Sequence, residues 1–268
     1  MGLECAAGRL YDEDMLNQVT YGAQGATPVL IVHGLFGSAR NWGVIAKRLS
    51  DRGRVVTVDQ RNHGYSQWVE SHTYEGTAAD LAEVIEADGG PFDVVGHSMG
   101  GKAVMMLALT RPELVRRLVV ADIAPVTYGH SQMQYLDAMR AVDLDKVERR
   151  SDAEEQLSAL GVEKALCSFF TQSLDIKKKK WRINLDVLAK DMAGILSFPK
   201  VDGRFEGSAV FVSGAESDYV KPEYRPEIKR LFPNAKFAKI PGAGHWLHAD
   251  KPREFEAAVR AVFDAPAG

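Results

Sequence analysis

Continuous apolar runs alternate with amphipathic stretches along most of the chain. Pro28–His33 (PVLIVH), Val55–Asp59 (VVTVD), Phe92–Gly96 (FDVVG), Leu118–Asp122 (LVVAD) and Ala209–Gly214 (AVFVSG) read as strands buried on both faces. Ala235–Ile240 predicts a last, half-exposed strand before Pro241. Helices are predicted over Trp42–Asp51, Thr77–Asp88, Ser98–Thr110 and Pro252–Phe263. Strands alternating with helices make βαβ units and a mostly parallel sheet, so the class is α/β. Asn17–Gly22 (NQVTYG) alternates polar and apolar with no helix beside it, which predicts antiparallel edge strands in the first residues.

The rhythm breaks between about Tyr128 and Phe198. There is no convincing strand there, only charged helical sequence such as Asp152–Leu160 and Trp181–Leu196. A helical insertion after one strand of a parallel sheet reads as a cap over the strand ends. The expected layout is a core of residues 1–127 and 199–268 with a cap of residues 128–198, without repeats or low-complexity linkers.

Composition narrows the class of function. At 268 residues, with 46% hydrophobic residues and a net charge of -3, the chain is globular and long enough for a sizeable core. Its 33 basic and 36 acidic residues make no global claim on nucleic acid. The one dense basic run, Lys177–Lys180, reads as a solvated face. Cys5 and Cys167 lie far apart in no metal-ligand spacing, so neither a disulfide scaffold nor a zinc ribbon is expected. No segment approaches the ~18 apolar residues of a membrane span; Ala103–Leu109 is the longest apolar run. The start, MGLECAAGRL, has no basic and hydrophobic leader pattern, and position 6 is Ala where myristoylation of Gly2 wants Ser or Thr. A cytoplasmic protein without membrane or nucleic-acid partners is expected.

The strongest chemical signal is Gly96–Gly100 (GHSMG), set between the strand FDVVG and a helix rich in Ala, Met and Leu. A strand running straight into a helix forces a sharp, strained turn, and flanking glycines leave room for it. Such a turn exposes the Ser98 hydroxyl above the sheet, and the helix N-terminus brings positive partial charge to the same place. His33–Gly37 (HGLFG) follows another buried strand; the N–H of Leu35, with that of Met99, is placed to cradle an oxyanion. His33 itself reads as a brace of that loop. His245, in PGAGHW after the last strand, is the expected base, since a neutral imidazole takes the serine proton and returns it to a leaving group. Two carboxylates are open as its partner. Asp122 ends the strand LVVAD, and Asp218 lies in the loop after the strand AVFVSG. Asp59 and Arg61, in DQRNHGYS, are expected to brace their loop through an ion pair.

HGLFGS, DQRNHGYS, GHSMGG and PGAGHW, in that order and spacing, resemble the α/β-hydrolase superfamily. HGLFGSARNW, GHSMGGK, ADIAP and AGHWLHADKP are similar to small esterases of the YbfF type. The resemblance covers essentially the whole chain and least distinctively the cap. It implies an α/β-hydrolase fold with an eight-stranded sheet, a helical cap, no metal, no cofactor and cleavage of acyl esters. It also implies Ser98 as nucleophile, His245 as base and Leu35 with Met99 as oxyanion donors. In most of the superfamily the acid follows the strand equivalent to Ala209–Gly214; in YbfF-type esterases it comes from the ADIAP segment. Asp122 is preferred, because it follows its strand immediately, while Asp218 lies four residues past Gly214 and Ser217 stands at the usual place; Asp218 is the alternative.

The expected function is a serine carboxylesterase acting on small to medium carboxylic esters through an acyl-enzyme on Ser98. Two rivals are a hydrolase of carbon–carbon bonds in ring-cleavage products and a non-catalytic ligand-binding module on the same fold. Haloalkane dehalogenation is disfavoured, because it wants a carboxylate at the elbow. Of the aromatics Phe36, Trp42, Trp68, Trp181 and Trp246, the expected pocket residues are Phe36, Trp181 and Trp246.

Overall fold

A computed structural model describes residues 16–266. The expectations for Gly2, Cys5, the leader and any strand before residue 16 lie outside the described residues. In chain order the strands are β1 (Gln18–Tyr21), β2 (Val29–Val32), β3 (Val55–Val58), β4 (Phe92–His97), β5 (Val115–Ala121), β6 (Leu174–Asp175), β7 (Lys180–Trp181), β8 (Ser208–Gly214) and β9 (Lys236–Ile240). The main helices are α1 (Gly43–Leu49), α2 (Tyr74–Glu86), α3 (Met99–Thr110), α4 (Met133–Ala141), α5 (Arg150–Ala159), α6 (Lys164–Thr171), α7 (Leu185–Lys190), α8 (Met192–Leu196), α9 (Arg225–Leu231), α10 (Leu247–Asp250) and α11 (Pro252–Phe263).

Seven strands form one sheet in the order β1-β3-β2-β4-β5-β8-β9, with β1 alone antiparallel. This is one strand fewer than the eight that the resemblance implies, since β1 is the single N-terminal edge strand among the described residues. Successive side chains of β2 go to opposite faces. Val29 and Ile31 pack with α1 and α11 through Ile45, Leu49, Phe255 and Val259, while Leu30 and Val32 pack with α2 and α3 through Leu81, Val84 and Met105. A sheet covered on both faces explains why its strands are continuous apolar runs rather than alternating ones. α2 begins before the predicted Thr77, because the Thr73 hydroxyl accepts from Gly76 N and caps a turn upstream.

The segment between β5 and β8 carries α4–α8 and, against expectation, an antiparallel ribbon of β6 and β7. Two-residue strands leave no periodicity to read. The ribbon's turn holds Lys177 and Lys178, both exposed, in keeping with a solvated basic run. The segment continues the core on the α2–α3 side through Leu136, Phe170 and Trp181. The loop after β3 holds it from below: Gly64 N donates to Arg182 O, Asn184 N to Asn62 O and His72 N to Asp191 Oδ2. The expected Asp59–Arg61 ion pair is absent. Arg61 instead forks onto Asp80 of α2 at 2.6 and 2.7 Å, and Asp59 accepts from Ala39 N, Tyr65 N and Asn17 Nδ2. The carboxylate is taken up by donors from three segments of the chain, which leaves the guanidinium to α2.

Four histidines are buried and His248 is half-buried in the interior, and desolvation lowers the pKa of each: His33 to about 4, His63 and His248 to about 3, His72 and His97 well below 6.5. These rings fold neutral but take up protons when unfolded, so their contribution is full above pH ~6.5 and is lost as pH falls below it. Buried Asp59 and Asp93, whose carboxyl pKa values burial raises, act in the opposite sense and are fewer. Stability is therefore expected to drop by several kcal/mol between about pH 7 and pH 5. Urea unfolding midpoints at pH 7.5, 6.5 and 5.5 check this; equal midpoints would contradict it.

Candidate active site

Ser98 joins β4 to α3 with φ 52° and ψ -122°, a conformation that L-residues rarely adopt. The turn exists because three backbones meet there. A Cβ on Gly100 would lie 2.3 Å from His33 O, and one on Gly96 would lie 2.4 Å from Gly100 O. Glycine at both positions is a steric requirement. Ser98 N donates to Ala121 O at 3.0 Å, which ties the turn to the neighbouring strand.

The parallel register then lines up the strand ends. His97 pairs with Ala121 across β4 and β5, so Ser98 and Asp122 emerge side by side. The loop after β9 brings His245 over both. His245 Nε2 is 3.1 Å from Ser98 Oγ, and His245 Nδ1 donates to Asp122 Oδ2 at 2.8 Å. Asp122 is fully buried and also accepts from Gly214 N at 3.1 Å and Ser217 Oγ at 2.5 Å. A carboxylate with three donors is held in one orientation. Asp218 is exposed on the loop beyond, and its charge bears on His130 and Tyr219. Of the sequence-predicted residues, Ser98, Asp122 and His245 come together, and Asp218 does not join them.

Leu35, Phe36 and Met99 line the cavity in front of Ser98. Their loop is braced by His33, whose Nδ1 donates to Gly34 O at 2.7 Å while Nε2 accepts from Gln60 N at 3.0 Å. The first N–H groups of α3 have no helical acceptor, so this end of the cavity is a ready anion site. His97 donates from Nε2 to His245 O at 2.8 Å and so fixes the loop that carries His245.

The cavity has a volume of about 250 Å³ and is walled from the β5–β8 insertion by Tyr135, Leu166, Phe169, Phe170 and Leu196. Trp246 lines it as expected, but Trp181 does not. Its indole is buried inside the insertion and donates to Met139 O at 2.9 Å, because only an interior carbonyl satisfies a buried N–H there. Trp68 is half exposed to solvent away from the cavity, whereas Trp42, buried against His248, also lines it. A more open cleft of about 420 Å³ adjoins across Phe169 and Trp246, where Asn41 Nδ2 donates to Gln172 Oε1 at 2.8 Å.

Two cavity residues escape sequence reasoning. Lys102, in the first turn of α3, is buried and donates to the carbonyls of Val126, Leu196 and Ser197 at 2.9, 2.9 and 2.6 Å. Burial lowers its pKa to about 7, against the pull of the three carbonyls. Its place inside an apolar helix gives no hint of that role. Tyr219 stacks on His245 and carries no motif at all. Among the described residues no group of three or more His, Cys, Asp or Glu is placed to hold a metal ion, and no helix is long and apolar enough to cross a membrane.

The comparisons agree with the fold. The model of the alpha/beta hydrolase family matches residues 29–258. The sn-1-specific diacylglycerol lipase ABHD11 of Mus musculus is 42% identical over 242 residues, covering 86% of this chain and 79% of that protein. Esterase YbfF of Escherichia coli (strain K12) is 35% identical over 253 residues, covering 91% and 95%. The solved structure of a marine microorganism esterase aligns with a TM-score of 0.88 at 36% identity, covering 92% of this chain and 99% of that one. With its sheet order, its strained serine turn and these relatives named as esterases and lipases, the chain belongs to the alpha/beta hydrolase family.

Proposed function

We propose that this chain is a serine carboxylesterase, and the observation that carries the reading is the contact chain Ser98 Oγ–His245 Nε2 and His245 Nδ1–Asp122 Oδ2. Ser98 attacks the ester carbonyl as His245 takes its proton. The N–H groups of Leu35 and Met99 hold the oxyanion, and His245 then protonates the departing alcohol. Water enters, His245 acts again as base, and the acid is released from Ser98. Asp122 keeps the imidazole in the tautomer that presents Nε2 to the serine and balances the imidazolium charge. Relatives named as an esterase and a diacylglycerol lipase support an ester substrate.

The cavity supports small to medium acyl groups. Its volume of about 250 Å³ equals roughly eight water volumes of ~30 Å³ each, which suits a short to medium chain rather than a long one. The insertion, which supplies one wall, acts as a cap that sets chain length and takes no part in proton transfer.

Three outcomes test the reading. Ser98→Ala is expected to lower kcat on p-nitrophenyl butyrate by at least about a thousandfold and to abolish labelling by a fluorophosphonate, with the unfolding midpoint kept. Retained labelling would require another nucleophile. Asp122→Asn is expected to cost about 10⁴ in kcat, as expected when the histidine loses its proper tautomer, whereas Asp218→Asn stays within about twofold. The reverse ranking would move the acid to Asp218. Leu166→Ala, which removes cap volume from the cavity wall, is expected to shift the preferred acyl group toward longer chains across a p-nitrophenyl ester series while the rate on the acetate ester changes little. An unchanged length profile would make the insertion a scaffold only.

A further inference from the structure

The loop after β8, Ala215–Val220, touches both partners of the Asp122–His245 pair. Ser217 Oγ donates to Asp122 Oδ2, and Tyr219 N donates back to Ser217 Oγ at 3.3 Å. Two residues on from that serine, the Tyr219 ring lies flat on the His245 imidazole, with centroids 3.9 Å apart and planes 20° apart. The loop is anchored on its far side by Tyr128, whose hydroxyl accepts from Ala124 N at 2.9 Å and donates to Tyr219 O at 2.6 Å. The Tyr219 hydroxyl meets His130 Nε2 at 2.8 Å at the start of the insertion. The tyrosine is therefore fixed at its N–H, its carbonyl and its hydroxyl, and a face of its ring lies on His245.

We propose that Tyr219 is a positioning residue of the proposed hydrolysis, an aromatic backing plate that holds the His245 ring between Asp122 and Ser98 and stabilises the imidazolium formed in each transition state. The proposal rests on the esterase reading above. The physical case has two parts. A planar ring held on one side at Nδ1 and on the other at Nε2 can still tilt about the line joining its two partners, and a flat neighbour at 3.9 Å removes that tilt. The face of an aromatic ring also carries negative charge density. It attracts a cation more than the neutral imidazole, so it acts when His245 takes the proton from Ser98 and not before. Among the described residues no carboxylate other than Asp122 contacts the ring, and His97, which packs on it, and His248 behind His97 are kept neutral by burial. The charge that appears on His245 thus has Asp122 in its plane and Tyr219 across its face.

The test compares Tyr219→Leu, which keeps apolar bulk and removes the π face, with Tyr219→Phe and Tyr219→Trp, which keep a face and lose the contact to His130. Wild type and Ser98→Ala are assayed first on p-nitrophenyl butyrate, so that failure of the esterase reading appears independently of position 219. For Tyr219→Leu, kcat and the rate of fluorophosphonate labelling are expected to fall together by about tenfold, the size expected of a desolvated aromatic face on a cation. KM is expected to stay within about twofold. Tyr219→Phe and Tyr219→Trp are expected to recover most of the loss. Tyr219→Met replaces the leucine variant if circular dichroism shows that variant unfolded. Equal losses in the Leu and Phe variants would assign the effect to the hydroxyl and His130 and overturn the proposal. So would a rise in KM at constant kcat, which would make Tyr219 a substrate contact, or a Leu variant as fast as wild type.

Discussion

The crossing of three backbones at Ser98 is the constraint on which the rest of the molecule depends. α3 leaves the end of β4 so close to the end of β2 that residue 100 has no space for a side chain, and the serine between must take a conformation costing about 1–3 kcal/mol. Such strain persists only where the surroundings over-determine it. Here they are the central strands of a sheet buried on both faces, a twelve-residue apolar helix and a hydrogen bond to the next strand. The register carries the consequence outward, because β5 ends level with β4, and β8 and β9 run on past them toward the loops that carry Ser217 and His245. Asp122 itself sits at φ 51°, so it leaves its strand by a sharp turn just as Ser98 does.

Most of the sheet was legible because it is buried on both faces, which writes each central strand as an unbroken apolar run. The elements that escaped were those whose identity depends on distant partners. β6 and β7 are two residues each and exist because the turn between them brings Leu174 opposite Trp181. Arg61 pairs with Asp80 of α2 rather than Asp59, whose oxygens are taken by Ala39 N, Tyr65 N and Asn17 Nδ2, donors that local sequence does not reveal. The placement of Trp181 failed for a related reason. Nothing in local sequence separates a tryptophan facing a cavity from one whose N–H has found an interior carbonyl.

At the site the pattern was similar. A serine between two glycines at a strand–helix junction, and a histidine after the last strand, carry local signals strong enough to stand without neighbours. The two aspartates do not, since each ends or follows a strand. What separates them is the environment: three donors, one of them the imidazole, converge on Asp122, while Asp218 is left in solvent. Rigid attachment to a buried strand was a usable clue to that difference. Lys102 and Tyr219 had no such clue, as each acquires meaning only through the carbonyls or the ring it meets.

Lys102 joins two places that are far apart in the chain. Val126 lies just before the insertion and Leu196 and Ser197 lie at its end, and one ammonium on the serine helix gathers all three carbonyls. The residues between are thus a loop whose neck is closed on the serine helix. Closing such a loop costs entropy that grows only with the logarithm of its length, about 0.6 kcal/mol for each doubling. The neck therefore separates the size and shape of the insertion from the geometry of the strand ends beneath it. A lineage carrying this fastening can exchange or enlarge the segment above the cavity, and with it the range of molecules admitted, while the serine, histidine and aspartate keep their places.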